Sequence, residues 1–411
     1  MTGQPATTHR RDADEETDVL IVGAGPCGLA AAISAMRAGL RVRVLDAGCV
    51  VSTITQYPTY VTFFSTAEKL GIGGLPFVTA GDKPTRRDAL AYYRAAVRYF
   101  GIPVRQYEPV ERLERIEGGE GVEGIGRLAD AAAPVRGGPP PTDNLVPDDG
   151  RRPIVARRPA SPELRARWRV HSRPHGGGTR VTAAYAVIVA TGYFGSPKRL
   201  GVPGEELPHV THTYREGHEA FLQDAVVVGG GNSAAEAALD LWRSGARVTL
   251  VHWGPAFDMR IKPWVLPDFM NRAKEGAIRA AWNARVVEIT PREVVIRGTD
   301  GTFGGFTDEM RRLPADHVYV MTGFAPNTAL LRDAGVPIDA ATGVPAHDPG
   351  TLETVLPGLF IAGVVVAGYD ANKVFIENGR YHGDRIVARL LGAAAPPEPA
   401  LSAELAAGEH P

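Results

Sequence analysis

The sequence predicts an α/β fold made of two similar units, each a Rossmann-like arrangement of three layers. A short apolar run, 19–22, precedes the pattern Gly23-x-Gly25-x-x-Gly28, and an alanine-rich stretch follows it. The same order of apolar strand, glycine turn and helix recurs from Ala225 onward. A repeated unit of this kind is typical of chains with two dinucleotide-binding domains. We therefore expect two Rossmann-like, three-layer domains.

The first glycine pattern has the features that a bound pyrophosphate requires. Gly23 would make the tight turn, Gly25 would let the phosphates approach the backbone, and Gly28 would let helix and strand pack closely. The start of the helix offers free N–H groups and a partial positive charge. The next strand ends on Asp46, where a carboxylate would bind a ribose hydroxyl. The alternative interpretation is a glycine-rich turn in an ordinary α/β domain.

The second pattern, Gly229-x-Gly231-x-x-Ala234, lacks an acid at the end of its second strand. His252 stands at that position, and the cations Arg260 and Lys262 follow. A carboxylate would repel the 2′-phosphate of a ribose, whereas cations attract it. The pattern therefore favours NADPH over NADH. The alternative is that Arg260 and Lys262 are ordinary surface charges.

The composition excludes several classes of protein. The chain has 411 residues, enough for two or three domains, and its formal net charge of −1 provides no basic field for nucleic acid. No apolar run approaches the ~20 residues of a membrane span, so we expect no membrane association. The two cysteines, Cys27 and Cys49, exclude a disulfide framework and a cysteine metal cluster, and no metal is expected. Residues 1–16 lack the apolar region of a signal peptide, so we expect a cytoplasmic protein.

Several segments carry a resemblance to a known family. Two-domain flavoprotein reductases show, in this order, segments like Gly23–Gly28, Ala190-Thr191-Gly192, Gly229–Ala234 and Gly358–Gly363. More closely, the chain resembles the bacillithiol disulfide reductase family, a group similar to thioredoxin reductases. That closer resemblance rests on Gly25-Pro-Cys-Gly-Leu29, Tyr57-Pro-Thr59 with Thr62-Phe-Phe-Ser65, Ile261-Lys-Pro-Trp264, and Phe375-Ile-Glu-Asn-Gly379 with His382-Gly383.

The resemblance, which covers about residues 17–390, implies FAD on the first glycine motif and NADPH on the second. It also implies reduction of bacillithiol disulfide or a related small disulfide. We expect a homo-oligomer, a dimer or a tetramer. The candidate FAD residues are Gly23, Gly25, Pro26, Gly28, Asp46, Tyr57, Thr62, Phe63, Thr191, Gly192, Gly363, Asp370 and Lys373. The candidate NADPH residues are Gly229, Gly231, Asn232, Ser233, Ala234, Glu236, His252, Arg260 and Lys262.

The same resemblance predicts an FAD-binding domain that is interrupted by the NADPH-binding domain. We expect the FAD-binding domain at 17–204 and 322–392 and the NAD(P)H-binding domain at 205–321. Residues 118–162 are too poor in apolar side chains to offset the entropy of ordering, so a disordered insertion is predicted there. Disordered or loose tails are predicted at 1–16 and 393–411.

The sequence departs from related flavoproteins in two respects. Thioredoxin reductases carry a Cys-x-x-Cys motif in the NADPH domain, and no such motif exists here, which excludes a dithiol relay. Val364 follows Gly363, whereas most such flavoproteins have an aspartate there to hold the ribityl chain. Asp370 is the candidate substitute for that aspartate.

Two residues are candidates for a catalytic role. Cys27 is a candidate nucleophile because it lies in the first turn of a helix, where N–H dipoles favour the thiolate. A nearby pyrophosphate would disfavour the thiolate, and the alternative for Cys27 is a small packing residue. His382 would either donate a proton near the flavin or be a hydrogen-bonded helix histidine. Cys49 has no supporting context and is interpreted as structural.

Other functions remain open at the level of sequence. A flavin monooxygenase suits the two motifs, but its Phe-x-Gly-x-x-x-His pattern is missing between Val202 and His209. A ferredoxin- or quinone-directed NADPH reductase is a further alternative. A non-catalytic sensor that binds both nucleotides would show no NADPH turnover with any acceptor.

Overall fold

The computed structural model describes residues 15–116, 166–257, 261–300 and 305–396. The strands are β1 (Glu15–Val22), β2 (Val42–Leu45), β3 (Val104–Arg105), β4 (Val110–Arg115), β5 (Trp168–Ser172), β6 (Arg180–Val189), β7 (Val210–Thr211), β8 (Asp224–Val228), β9 (Arg247–Val251), β10 (Arg279–Ala281), β11 (Ala284–Ile289), β12 (Glu293–Gly298), β13 (Met310–Pro314), β14 (His317–Val320) and β15 (Leu359–Ile361). The α-helices are α1 (Pro26–Arg37), α2 (Ser52–Thr55), α3 (Ala67–Leu70), α4 (Arg86–Phe100), α5 (Asn232–Arg243), α6 (Leu266–Lys274), α7 (Ala329–Asp333), α8 (Ile376–Gly379) and α9 (His382–Leu391). Short 3-10 turns cover His218–Ala220, Gly363–Ala367 and Ala371–Lys373.

The first sheet has the strand order β3-β2-β1-β6-β5-β4, and β15 pairs with β6. Strands β1, β2, β3, β6 and β15 are parallel, whereas β4 and β5 run antiparallel to their neighbours. Val19, Leu20 and Ile21 in β1 are fully buried. A strand that is covered on both faces has no solvent side, which explains why this segment is a continuous apolar run instead of an alternating one.

Both faces of this sheet carry a hydrophobic layer. On one face, side chains of α1, α4 and α9, such as Leu29, Tyr93 and Ile386, pack against the strands. On the other face, Leu331 of α7 and Val336 pack against the opposite side chains of the same strands. The three-layer arrangement that the sequence predicts is therefore confirmed for this unit.

The second sheet is parallel throughout and has the order β10-β9-β8-β14-β7. Helices α5 and α6 cover one face through Leu239 and Phe269. The antiparallel sheet β11-β12-β13 covers the other face through Val286, Val294 and Ile296. The chain thus has the predicted α/β fold with two sheets, and in each sheet a parallel strand, β1 or β8, leads into a glycine turn and a helix.

The first sheet is discontinuous in sequence. After β6 the chain builds the second sheet and then returns with β15 beside β6. The two connecting segments pair with each other, because Pro197 forms a β-bridge with Phe324 and the Lys198 N–H donates to the Gly323 carbonyl at 2.9 Å. The predicted interruption of one unit by the other is confirmed, while the boundaries at 204/205 and 321/322 stay predictions.

Some local predictions are corrected by the structure. Glu15 and Glu16, assigned to a disordered tail, belong to β1 and pair with Thr182 and Ala183. Residues 1–14, the predicted insertion 118–162 and residues 397–411 lie outside the described residues, and 393–396 form no helix or strand.

Helix α9 packs closely against α1. A Cβ added at Gly383 would overlap the backbone of Ala31 in α1. Glycine is therefore required at this position by the distance between the two helix backbones and not by its conformational freedom. The contact joins residues at opposite ends of the chain.

We predict that Gly383→Ala destabilises the protein by about 1–3 kcal/mol, because the added methyl group forces α9 away from α1. The higher helix propensity of alanine offsets at most about 1 kcal/mol of this cost. Urea unfolding followed by circular dichroism measures the change. Gly176→Ala is the matched control, since Gly176 is exposed and no described atom lies within 4 Å of its added Cβ. An equal or higher stability of Gly383→Ala than of the wild type would contradict the close packing.

Candidate functional site

The first glycine turn joins β1 to α1 and has the geometry that its sequence predicts. Gly23 has φ +112°, and an added Cβ would overlap the carbonyl oxygen of Ala190, the residue directly after β6. A Cβ on Gly28 would overlap the carbonyl oxygen of Gly23. In contrast, no described atom lies within 4 Å of a Cβ built on Gly25. Gly25 therefore faces open space, where a group could approach the backbone.

Helix α1 begins at Pro26, and no side chain caps its N-terminus. Proline is suited to this position because the first N–H groups of a helix have no partner within the helix. The uncapped N–H groups carry partial positive charge, which favours an anion beside the turn. This end of α1 is thus a suitable position for the predicted pyrophosphate.

Asp46 ends β2 beside the same turn. Its Oδ2 accepts a hydrogen bond from the Ala24 N–H at 2.6 Å, and its Oδ1 accepts one from the Gly48 N–H at 2.7 Å. Burial raises the pKa of this carboxyl, although the two backbone hydrogen bonds act in the opposite direction. The carboxylate therefore orders the glycine turn, and its binding to a ribose hydroxyl stays a prediction.

The 3-10 turn Gly363–Ala367 forms the opposite wall of this region. Gly363 has φ +74°, and an added Cβ would lie 3.1 Å from Cβ and 3.2 Å from Sγ of Cys27. An added Cβ on Gly379 at the end of α8 would lie 2.8 Å from the same Sγ. Cys27 in the first turn of α1 is thus enclosed by two glycine backbones from the C-terminal part of the chain.

The surroundings of Cys27 act against the thiolate that the helix dipole favours, and a chemical role for this residue stays a prediction. Burial raises the pKa of the thiol to about 12, so the side chain is neutral at physiological pH. The helix dipole contributes in the opposite direction, but it does not overcome the cost of placing a charge in an apolar environment. The geometry agrees with the alternative interpretation of Cys27 as a small packing residue.

His382 opens α9 and is only 2% exposed. Its Nδ1 accepts a hydrogen bond from the Gly363 N–H at 3.1 Å. Burial, together with the positive charge of Arg385 and the neighbouring His347, lowers the pKa of His382 to about 4. The geometry agrees with the alternative of a neutral, hydrogen-bonded helix histidine rather than with an ionised proton donor.

The aromatic loop 57–65 lies near this region. The ring centroid of Tyr57 is 6.0 Å from that of Phe63 and 6.0 Å from that of Phe194, and burial raises the pKa of Tyr57 to about 12. Thr62 pairs with Thr85 in a β-bridge. Further along the loop, the Ser65 hydroxyl donates to Glu377 Oε2 at 3.2 Å, so two segments that carry the family resemblance are in contact.

The remaining candidate FAD residues lie on connecting segments. Thr191 donates from Oγ1 to the Asn327 carbonyl at 3.4 Å, and Gly192 has φ +76°. Asp370 accepts at Oδ1 from the Asn372 N–H at 3.3 Å, and its Oδ2 lies 3.6 Å from Nζ of Lys373. Asp370 and Lys373 therefore form an exposed ion pair, and the role of Asp370 as a substitute for the missing aspartate stays a prediction.

The second glycine turn joins β8 to α5 and resembles the first. Gly229 has φ +152°, and an added Cβ would overlap the carbonyl oxygen of Met321 in the segment after the neighbouring strand β14. No described atom lies within 4 Å of a Cβ on Gly231, which precedes α5. Ser233 is exposed in the first turn of α5, and Ala234 is buried. The imidazole of His252 lies over the turn, since it fills the space that a Cβ on Gly230 would need.

The candidate NADPH residue Lys262 forms an ion pair with Glu236, and its role in binding the nucleotide stays a prediction. Its Nζ donates to Oε1 of Glu236 at 2.7 Å, and its backbone N–H donates to Oδ1 of Asn232 at 2.8 Å. The Lys262 side chain is 15% exposed. Lys262 is thus half of an internal ion pair and not a free cation facing solvent, while Arg260 lies outside the described residues. The sequence alone could not show that Glu236 neutralises this charge.

Sequence reasoning missed the contributions of Glu377, Gly379 and Gly383. All three lie inside the segments 375–379 and 382–383, which carry the family resemblance. That location was the one indication in the sequence that these residues contribute to the site. Within the part of the chain that the structure describes, no group of three or more histidine, cysteine, aspartate or glutamate side chains could hold a metal ion. Likewise, none of the described helices is long and apolar enough to cross a membrane.

Two glycine turns on two parallel sheets of one chain define the class of protein. A family model described as pyridine nucleotide-disulphide oxidoreductase matches residues 20–127 and 178–363. Because this match spans more than half of the chain, the chain belongs to that family and is an oxidoreductase. Membership implies a flavin and a pyridine nucleotide as cofactors in general terms.

The chain is also similar to a narrower group over nearly its whole length. Bacilliredoxin reductase Bdr of Bacillus subtilis (strain 168) is 39% identical over 371 residues, which are 90% of this chain and 96% of that protein. The structure of bacillithiol disulfide reductase Bdr from Bacillus cereus is 37% identical with a TM-score of 0.75, and that from Staphylococcus aureus is 32% identical with a TM-score of 0.74. Each match covers 92% of this chain and 99% of the other. The chain therefore belongs to the bacillithiol disulfide reductase family.

Cys27 is partly exposed, and the raised pKa of its thiol leads to a prediction about its reactivity. In a Cys49→Ser variant, Cys27 is the only thiol, and we expect iodoacetamide at pH 8 to leave it unmodified in the native protein. The reason is that the thiolate is the reactive species, and a pKa of about 12 leaves a fraction of roughly 10⁻⁴ ionised at pH 8. Mass spectrometry of the intact protein measures the modification.

The same variant unfolded in urea should be alkylated readily, and the reciprocal Cys27→Ala variant reports on Cys49 alone. Alkylation of native Cys27 at the rate of the unfolded chain would show that the thiolate forms readily in the folded protein and would contradict the effect assigned to burial.

Proposed function

We propose that this protein is an FAD-dependent NADPH oxidoreductase that reduces a low-molecular-weight disulfide such as bacillithiol disulfide. The observation that carries the proposal is the presence of two glycine turns on two parallel sheets of one chain, each with open space beside its middle glycine, Gly25 or Gly231. Two dinucleotides in one chain suit a hydride transfer from one to the other. The names of the relatives supply the disulfide as the substrate class.

The residues around the first glycine turn suit FAD. The uncapped start of α1 would bind the pyrophosphate through backbone N–H groups, and Asp46 would bind a ribose hydroxyl from the end of β2. Cys27 and His382 are both neutral, so neither adds a charge next to this anion site. FAD, when bound, would supply the electron-transfer chemistry between NADPH and the disulfide. The chain would supply position and a preorganised set of backbone dipoles.

The residues around the second glycine turn suit NADPH. The start of α5 offers uncapped N–H groups, and His252 lies directly over the turn. We assign recognition of the 2′-phosphate to His252 and not to Lys262, because the ammonium group of Lys262 is already paired with Glu236. Arg260 keeps its predicted role as a second cation. The expected oligomeric state also stays a prediction.

We predict that His252→Ala lowers the preference for NADPH over NADH by roughly tenfold, because a charge-assisted hydrogen bond to the phosphate is lost. In contrast, Lys262→Met should change that preference by less than about twofold. The ratio of kcat/KM for the two nucleotides with a common electron acceptor measures the effect. A large loss of preference in Lys262→Met with none in His252→Ala would reverse the assignment. The matched control is the double variant Lys262→Met/Glu236→Gln, which removes both charges of the ion pair.

The function itself is tested by an anaerobic titration. We expect about one equivalent of NADPH to bleach the flavin absorbance, because two dinucleotide carriers in one chain permit hydride transfer between them. Bacillithiol disulfide should then restore the absorbance far faster than glutathione disulfide or ferredoxin, since the similar solved structures are named as bacillithiol disulfide reductases. The spectrum at each addition is the measurement. A flavin that NADPH does not bleach would contradict the proposal. If only ferredoxin or a quinone restored the flavin absorbance, that acceptor would be the substrate in place of the disulfide.

The variant Cys27→Ala separates the two roles of this residue within the same experiment. Alanine is small and suits the helix, so bleaching by NADPH should persist. Loss of disulfide turnover with bleaching retained would assign a chemical step to Cys27, whereas full turnover would assign packing. The proposed NADPH:disulfide reaction holds in either case.

A further inference from the structure

The hydrogen bond between His382 and Gly363 joins two segments whose roles differ. Gly363 begins the turn that faces the first turn of α1, whereas His382 opens the last long helix, α9. We propose that His382 is a positioning residue that holds the Gly363 turn against the start of α1 and thereby fixes one wall of the FAD-binding cleft. This inference rests on the proposed function, because it assigns FAD to that cleft.

The buried N–H group of Gly363 depends on His382 for its hydrogen bond. The Gly363 N–H is buried and donates to His382 Nδ1 at 3.1 Å. A buried N–H without an acceptor carries the full cost of its lost hydration, so a turn that lost this partner would move to find another. The histidine ring is 2% exposed and has little freedom to rotate away. The bond is therefore a specific constraint on the conformation of the turn.

The hydrogen bond from Gly363 requires one protonation state of the His382 imidazole. Because the Gly363 N–H is the donor, Nδ1 must carry no proton, and the neutral ring then carries its proton on Nε2. A protonated imidazolium could not accept this bond. The charged and titratable groups that face the ring are Arg385 on the same helix and His347 on the segment before β15, and both disfavour a positive charge on it. The low pKa of His382, about 4, agrees with this requirement.

Two glycines pack closely on either side of the hydrogen bond between His382 and Gly363. Gly379 on one side of His382 lies against the Cys27 sulfur, and Gly383 on the other side lies against the backbone of Ala31. Both contacts bring α8 and α9 directly onto α1. The imidazole between them then reaches across to the Gly363 turn. The three residues act as one unit that fastens the turn to the helix whose N-terminus would bind the pyrophosphate.

Val364 is the residue directly after Gly363 in the same turn. Its apolar side chain replaces the acid that most related flavoproteins have after this glycine, so it cannot hold the ribityl chain by hydrogen bonding. Contacts from the turn must then come from its backbone, whose direction depends on the orientation of Gly363. His382 sets that orientation through the 3.1 Å bond.

A pair of nearly isosteric variants tests the proposal. Asparagine places an oxygen acceptor close to the position of Nδ1, whereas leucine has almost the same shape without an acceptor. We expect His382→Leu to weaken FAD binding to the apoprotein by at least tenfold and to shift the flavin circular dichroism spectrum. His382→Asn should remain within about threefold of the wild type and retain the wild-type spectrum. Fluorescence quenching of FAD on titration with apoprotein measures the affinity.

A second measurement uses the wild-type protein and therefore does not depend on the folding of a variant. Nitrogen-15 NMR of histidine-labelled wild-type protein should show Nδ1 of His382 as an unprotonated acceptor and Nε2 as protonated, with the ring neutral at pH 5.5. A ring that titrates near pH 6.5, or the opposite tautomer, would overturn the proposal. Equal FAD affinity and equal spectra for the leucine and asparagine variants would overturn it as well.

The outcomes distinguish this inference from the proposed function. If NADPH bleaches the flavin of the wild-type protein but His382→Leu behaves like His382→Asn, only the role of His382 is wrong. If the wild-type protein takes up no FAD, the proposed function is wrong, and the inference falls with it even where NMR shows the expected tautomer. In that case the His382 bond would serve the stability of the fold alone.

Discussion

The structure depends most on the close approach of backbones around the first turn of α1. Gly23 and Gly28 lie against carbonyl oxygens of β6 and of the turn itself, and Gly363 and Gly379 enclose the side chain of Cys27. A Cβ at Gly23 or Gly28 would overlap backbone atoms, and a Cβ at Gly363 or Gly379 would crowd the Cys27 side chain. Because β15, the Gly363 turn and α9 all meet α1 here, the two sequence segments of the first unit are held together at the position where the dinucleotide is expected.

Charge is largely absent from the centre of this region. Burial keeps the Cys27 thiol and the His382 imidazole neutral, and it raises the pKa of Asp46. In the second unit, the cation Lys262 is already neutralised by Glu236. Among the described residues of the two candidate sites, the uncapped backbone N–H groups at the starts of α1 and α5 are therefore available for anion binding. Preorganised dipoles of this kind bind phosphate without the desolvation cost of a buried cation.

The sequence predicted those features that are determined by local spacing. The order of strand, glycine turn and helix in both units is one such local feature. The contact of Gly383 with Ala31 joins the two ends of the chain, and no local pattern encodes it. The pairing of Lys262 with Glu236 and the neutrality of Cys27 were also not predictable, because burial and partners in the tertiary structure decide which electrostatic effect is larger.

The central claim is that the first turn of α1 and the Gly363 turn form the binding site for one FAD. Its most direct test is the flavin content of the purified protein, measured by the visible absorbance of the holoprotein and by chromatography of the cofactor released on heating. The account predicts a yellow protein with one FAD per chain, either as purified or after reconstitution with FAD. A protein that remains colourless after reconstitution would contradict it.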